Sequence, residues 1–305
     1  VLFNPNVDDE EFNKDFFNII KKEIIAQTNA VKDNPNLFSS IKYSSIMYKD
    51  TPSAYSTYPT LEEIDKVTPK SLYNHYKKLF NGQYKINIVV LGEIDDSIEK
   101  IIDKKFSKMI NSNEKLSFKI NHKYSEKIVE KIDSLDYKQS KLYIGYRLNG
   151  LTYHEMYHVL NVYNTILGVM NDSILFNIVR EKNSLCYSVG SYTSKDNPSL
   201  TIYAGINKNN YEKTKSLIIE CVKNMSNKEY VEKLFDASKK TINTYLNNYY
   251  DEAYSQINYY YVNEFEDAED IETLRKNINK VTIEEVCDLN KKISLSTIYL
   301  LKGDN

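Results

Sequence analysis

Ile64-Asp65-Lys66-Val67-Thr68 and Ile278-Asn279-Lys280-Val281-Thr282 say nearly the same thing 214 positions apart. After each Thr comes a helical pattern with a lysine pair nine and ten residues on, Lys77-Lys78 and Lys291-Lys292. Each copy then runs into an apolar, strand-like stretch that ends in Gly and an acid: Ile86 to Gly92-Glu93, and Thr297 to Gly303-Asp304. A fainter echo pairs Phe17 to Ile24 with Phe235 to Ile242. A period this long is too great for a solenoid unit and fits two copies of one domain. The second copy opens near Asp133, so a whole first copy would begin about 80 residues before Val1. With Val rather than Met at position 1, the expectation is a fragment or processed chain whose first copy is truncated at its N-terminus. The domain expectation is residues 1–110 for the end of the first repeat, 111–132 for a linker rich in Asn, Lys and Ser, and 133–305 for the second repeat.

A chain of 305 residues, 41% of them hydrophobic, is long enough to bury one or two cores. No apolar run approaches the ~18 residues that span a bilayer. The net charge of -2, with both signs interspersed, offers no basic stripe for nucleic acid; proteins, peptides or small molecules are the expected partners. No signal peptide stands at the given start, and a cytoplasmic location is the expectation. Cys186, Cys221 and Cys287 are odd in number, far apart and set among apolar residues, which points to reduced, buried thiols. The tyrosines from Tyr249 to Tyr261 are expected to pack a long helix.

Element by element, Asp8 to Ala30 reads as an amphipathic helix with Phe12, Phe16, Ile19, Ile20 and Ile24 on one side. A second helix runs to Met47, and Thr51 to Pro59 is a loop. Helix, strand (85–92) and helix follow from Thr68. In the second repeat, a strand from Lys141 to Leu148 closes at Asn149-Gly150, and an apolar helix runs to about Met170. Residues 185–193 and 198–206 alternate around Ser194 to Pro198, the pattern of an antiparallel hairpin. Helices near 209–225, 229–265 and 282–292 precede the last strand. With few strict β-α-β alternations, the fold class is α+β, a mainly antiparallel sheet with helices on one face.

Two segments could carry chemistry. His154-Glu155-Met156-Tyr157-His158 is a literal HExxH, which on a helix sets two imidazoles on one face and a Glu near a metal-bound water; Glu181 could add a third ligand. Its context points elsewhere. Thr152 to Glu155 spells a capping box, which puts His154 in the first turn, and the apolar helix comes after the pattern rather than before it. The expectation is a capped helix start with solvated histidines. In the second segment Arg180 ends a short helix and Tyr187 begins a strand. An Arg can grip a carbonyl or carboxylate with two parallel hydrogen bonds, and a Tyr hydroxyl can donate to a developing oxyanion; a surface Arg and a strand Tyr with structural roles fit the same pattern.

With its surroundings this second segment resembles the insulinase-like (pitrilysin, mitochondrial processing peptidase) zinc metallopeptidases. The likeness rests on Ile166-Leu167-Gly168, Ser173, Leu175-Phe176, Val179-Arg180-Glu181 and Leu185-Cys186-Tyr187-Ser188, and continues in Tyr211-Glu212-Lys213 and Gly92-Glu93-Ile94-Asp95. It is nearest to bacterial subunits that lack the metal motif and pair with a metal-bearing one. The resemblance implies a duplicated α+β domain, with an inverted HxxEH in the first repeat that would fall before Val1. The family's downstream metal-ligating Glu maps onto Glu23. Active members usually carry another Glu seven residues earlier, where this chain has Phe16, so the resemblance implies a degenerate site. Arg180 and Tyr187 match the pair that holds substrate and stabilises the tetrahedral intermediate.

The expected function is therefore that of a subunit or fragment without its own complete metal site. It would donate Arg180 and Tyr187 to a peptide-cleaving chamber shared with a homologous metal-bearing subunit, or with a second copy, as a heterodimer or self-dimer. Zinc would sit in the partner or in the complete enzyme, with none on this chain alone. Three rivals make different predictions: an active peptidase with HxxEH upstream, a non-catalytic scaffold subunit, and a direct zinc site at His154 and His158.

Overall fold

The structure is a computed structural model, and it describes residues 2–80, 84, 86–107, 127–265 and 269–303. The chain divides into two compact units. Val1–Asn34, Ser56–Ser117 and Ala253–Asp267 form the first; Pro35–Tyr55, Phe118–Glu252 and Ala268–Asn305 form the second. In chain order the elements are β1 (Val7–Asp8), β2 (Glu11–Phe12), α1 (Lys14–Ala30), α2 (Pro35–Met47), α3 (Leu61–Lys66), α4 (Pro69–Leu79), α5 (Asp96–Phe106), β3 (Val129–Ser134) and β4 (Ser140–Leu148). They continue with α6 (Leu160–Asn164), β5 (Cys186–Ser194), β6 (Ser199–Ile206), α7 (Tyr211–Asn224), α8 (Lys228–Asp251), α9 (Ala253–Phe265), α10 (Ile271–Lys280), α11 (Ile283–Leu289) and β7 (Ile293–Lys302).

The repeated pentapeptide is, in each copy, a junction between two helices. Thr68 ends the α3 connection and caps α4 by accepting from Ser71 N at 3.1 Å, while Thr282 does the same between α10 and α11 by accepting from Glu285 N at 3.2 Å. A Thr at such a junction satisfies an amide that the first helical turn leaves unpaired, so the motif recurs because the same chain reversal recurs.

In the first unit the amphipathic helix begins at Lys14, not at Asp8. Asp9 and Glu10 take positive φ (45° and 63°) and close a two-residue hairpin between β1 and β2. That is the turn whose twist suits a tight hairpin. Asn13 then caps α1 by accepting from Phe16 N at 3.0 Å, and Phe12 sets its ring edge-on to Tyr73 and Tyr76 of α4. No residue of α1 is buried. The strand expected over 85–92 pairs with no strand among the described residues, and Ile88, Val90 and Leu91 are exposed. An apolar run becomes a strand only where a neighbour takes its backbone groups.

The second unit is built on a five-stranded sheet in the order β3-β7-β4-β6-β5, antiparallel except for the β3–β7 pair. The expected linker over 111–132 lies mostly outside the described residues, and its last four residues already belong to β3. Alternation along β4 sends Leu142, Ile144 and Tyr146 to one face and Tyr143, Gly145 and Arg147 to the other. Tyr146 lies beside Cys221 of α7 and Tyr163 of α6 on the helical side. Helices were expected on that face alone, but α2 covers the second one. Tyr43 and Met47 are fully buried with Tyr143, Tyr299 and Leu301, and the Tyr43 ring stacks on Tyr143 at 5.0 Å. Covering both faces explains why nearly all of β4 is buried.

The helix expected over 229–265 divides at Glu252, whose backbone is extended, as the chain passes from the second unit into the first. The tyrosines are thereby split between α8 and α9, and Tyr250, Tyr254, Tyr260 and Tyr261 are exposed rather than buried. The three cysteines are free and buried. Burial pushes the thiols of Cys186 and Cys221 up to about 11 and raises that of Cys287. The thiolate is the reactive form, so a thiol reagent at neutral pH is expected to label none of the three rapidly in the native chain and all three after denaturation. Rapid native labelling would contradict this packing.

Candidate functional site

Arg180 and Tyr187 lie on one continuous feature of the second unit. Residues Phe176–Lys182 form a π-helical turn. It stops at Asn183, and Ser184 takes a positive φ of 51°. Ser184 N and Leu185 N donate back to the carbonyls of Arg180 and Val179 at 2.9 and 3.0 Å, which fixes the turn into β5. Val179 and Leu185 are buried beneath it, so the apolar positions anchor the turn and leave Arg180 outward. Its guanidinium lies over the Phe176 ring at 4.8 Å and near Glu181 at 3.8 Å, with the side chain 44% exposed. Its charge also reaches the Cys186 thiol and opposes the upward push of burial.

Tyr187 sits at a bulge. The β5–β6 register passes from Cys186↔Ile206 to Ser188↔Gly205, so Tyr187 is the extra residue. Bulges re-aim a side chain out of the ladder, and Tyr187 is 67% exposed. Among the described residues β5 is an edge strand, paired only with β6. Beside it lies a cleft of about 360 Å³ lined by Lys141, Tyr143, Ser188, Tyr192 and Tyr203. Burial lowers the pKa of Lys141. The result is an exposed phenol and an exposed guanidinium at the two ends of one turn, and, among the described residues, a free strand edge whose Ser188 and Tyr192 help to line a tyrosine-walled cleft. That arrangement can hold an extended peptide by its backbone and donate to a carbonyl oxygen. The bulge and the cleft were not legible in the sequence, because both depend on how β5 registers on β6.

Glu23 lies exposed on α1 in the first unit, and Phe16, also exposed, stands seven residues before it. Among the described residues no group of three His, Cys, Asp or Glu side chains is placed to hold a metal ion. The HExxH pattern does begin with the expected capping box: Thr152 N donates to Glu155 Oε2 at 2.7 Å, and Glu155 N donates to Thr152 Oγ1 at 3.2 Å. Lys292 holds the same carboxylate at 2.7 Å, so Glu155 is engaged away from the role of a general base, and Glu181 stands beside Arg180 instead. The expectation of solvated histidines is corrected for His158, while His154 keeps 42% of its side chain exposed. The His158 side chain is 3% exposed, and each ring meets a carboxylate from a distant segment, Glu285 for His154 and Glu269 for His158. Those partners lie more than 100 positions away in sequence, which hid them.

The chain is 30% identical over 308 residues to the probable inactive metalloprotease YmfF of Bacillus subtilis, covering 99% of this chain and 71% of that protein. It is 27% identical to the uncharacterized zinc protease YmxG of the same organism, over 79% of this chain and 57% of the relative. A conserved protein from Enterococcus faecalis superposes with a TM-score of 0.89 at 23% identity, over 99% of this chain and 72% of that one, and so shares the fold. Among the described residues no helix is long and apolar enough to cross a membrane. Residues 66–242 match the family described as Peptidase M16 inactive domain, and with the YmfF likeness this establishes that the chain belongs to the M16 metallopeptidase family, through its inactive domain.

Proposed function

We propose that this chain is the substrate-holding partner in an M16-type peptidase assembly in the cytoplasm. Zinc and the hydrolytic water come from a homologous metal-bearing subunit, and Arg180 and Tyr187 come from this chain. The observation that carries the reading is the presentation of Tyr187, lifted by a bulge out of a strand that lies at the sheet edge among the described residues, and exposed beyond the turn that Arg180 begins. The guanidinium grips the peptide backbone and the phenol donates to the carbonyl oxygen as it gains charge. Donors aimed at such an oxygen contribute about 10²–10³ in rate without making a bond.

The test is reconstitution with a metal-bearing homologue and an unstructured peptide. Arg180→Ala and Tyr187→Phe are each expected to lower kcat about a hundredfold while leaving assembly and circular dichroism unchanged. Full activity in both variants would overturn the proposal. A scaffold role, which the likeness to a probable inactive metalloprotease favours, predicts no cleavage with any partner. An active peptidase with its own HxxEH predicts cleavage by the longer chain alone.

A further inference from the structure

The two histidines of the unused HExxH pattern form part of a continuous hydrogen-bonded chain. His154 Nδ1 and His158 Nδ1 face each other at 2.9 Å. On their outer sides, His154 Nε2 meets Glu285 Oε1 and His158 Nε2 meets Glu269 Oε2, both at 2.9 Å. Asn277 donates to the other oxygen of Glu269 at 2.9 Å, and Thr282 N donates to the other oxygen of Glu285 at 2.8 Å. The chain thus ties the start of the helix that leads into α6 to α11 and to the segment entering α10.

The proton count decides what this chain is. An ionised carboxylate only accepts, so each Nε2 facing one carries a hydrogen. Glu285 is ionised: burial pushes its carboxyl up, but the Thr282 amide and His154 outweigh burial and hold it below the usual range. If both rings were neutral, two Nδ1 lone pairs would face each other at hydrogen-bond distance. If both were cationic, two N–H groups would. One proton between the two nitrogens makes the contact attractive. We propose that His154 and His158 share a single Nδ1 proton, forming a cationic pair between two carboxylates that latches the chain where it re-enters the second unit just before Glu269.

The surrounding charges agree with a pair carrying one positive charge. Glu269 faces it from the segment before α10 and Glu285 from α11. Lys239 of α8 faces Glu285 from behind, with its ammonium donating to the Val281 carbonyl at 2.6 Å. On the pair's own segment Glu155 is neutralised by Lys292, and the Tyr153 ring stands edge-on to His158 at 5.9 Å. With no proton between them the two nitrogens would oppose lone pairs, and with two they would oppose N–H groups, so the 2.9 Å contact is attractive only with one.

The test is nitrogen-detected NMR of the full chain labelled at histidine, followed from about pH 5 to about pH 9, the span in which imidazoles change charge. The expected result is one far-downfield proton with a scalar coupling to both Nδ1 atoms, and amide protection around Ile271 that is lost wherever that signal is lost. His154→Gln is expected to abolish the signal and to lower that protection, although residue 154 does not touch Glu269. Two rings that titrate independently with no cross-bridge coupling would overturn the proposal. So would one equivalent of zinc taking the place of the proton at micromolar concentration. The wild-type spectrum decides the matter even if the variant fails to fold, and no outcome depends on peptidase activity.

Discussion

Tyr43→Ala is expected to lower the stability of the second unit by about 3–5 kcal/mol, the range for truncating a fully buried aromatic side chain. Three observations support so large an effect. Tyr43 is completely buried and its ring stacks on Tyr143, which itself lies in register with Tyr203 and Tyr299 across three strands. Its hydroxyl shares a 2.8 Å hydrogen bond with Thr201 Oγ1 in the same interior, where burial raises the phenol well above its ordinary range and keeps it protonated. It also presses on the only glycine of β4, since a Cβ built on Gly145 would collide with the Tyr43 hydroxyl and come within 2.7 Å of Met47 Sδ. Tyr43→Phe keeps the stack and loses the hydroxyl, leaving Thr201 without that partner, so it is expected to cost about 1 kcal/mol. Urea denaturation measures both: the midpoint should fall several times further for Ala than for Phe with the slope unchanged. A loss below about 1 kcal/mol for Tyr43→Ala would show that α2 is not an integral cover of the sheet.

That second cover marks the limit of what the sequence discloses. The pentapeptide repeat, the β5–β6 hairpin and the capped start at Thr152 are local or periodic, and each depends on hydrogen bonds within a few residues. They are legible because their partners are nearby in the chain. The role of α2 is different: Tyr43 meets Thr201 across 158 positions, and Tyr48 meets Ser199 across 151. Nothing in the composition of Pro35–Met47 distinguishes a helix on its own repeat from one lying on the sheet of the other. Residues 86–91 show the reverse case, in which a stretch with every local mark of a strand pairs with no strand among the described residues, because a ladder is a property of two segments. The candidate site follows the same division. Arg180 and Tyr187 are singled out by the family resemblance of their segment, whereas the bulge that exposes Tyr187 and the carboxylates that hold His154 and His158 arise from tertiary register.

Gly168 joins these two kinds of information, and Gly168→Val carries the second large expected effect. The Ile166-Leu167-Gly168 stretch was conspicuous in sequence, and the structure supplies its physical reason. The buried turn Thr165–Val169 crosses β5 so closely that a Cβ at residue 168 would overlap Ser191 Oγ, lie 2.8 Å from Ser191 N and lie 2.9 Å from Leu175 Cδ1. One of those atoms is backbone, and the Ser191 side chain is itself held by a 2.6 Å hydrogen bond to Asn164, so relief requires moving β5 as a whole. Overpacking that shifts backbone costs about 1–3 kcal/mol for a small addition. Ala is accordingly expected near the middle of that range and Val near about 3 kcal/mol or above. Ser191→Gly placed on Gly168→Ala removes the hydroxyl clash but leaves the amide, so it should restore part of the loss and not all of it. The strand that must move is the one carrying Tyr187 at its bulge. Gly168→Ala should therefore depress reconstituted peptidase activity more than its remaining folded fraction accounts for, while the milder Tyr43→Phe on the α2 side should lower activity only in proportion to its own folded fraction. Activity that simply tracks the folded fraction in both variants would separate the packing of β5 from the placement of Tyr187, and the edge strand would lose its claim to be the part of the fold that positions the site.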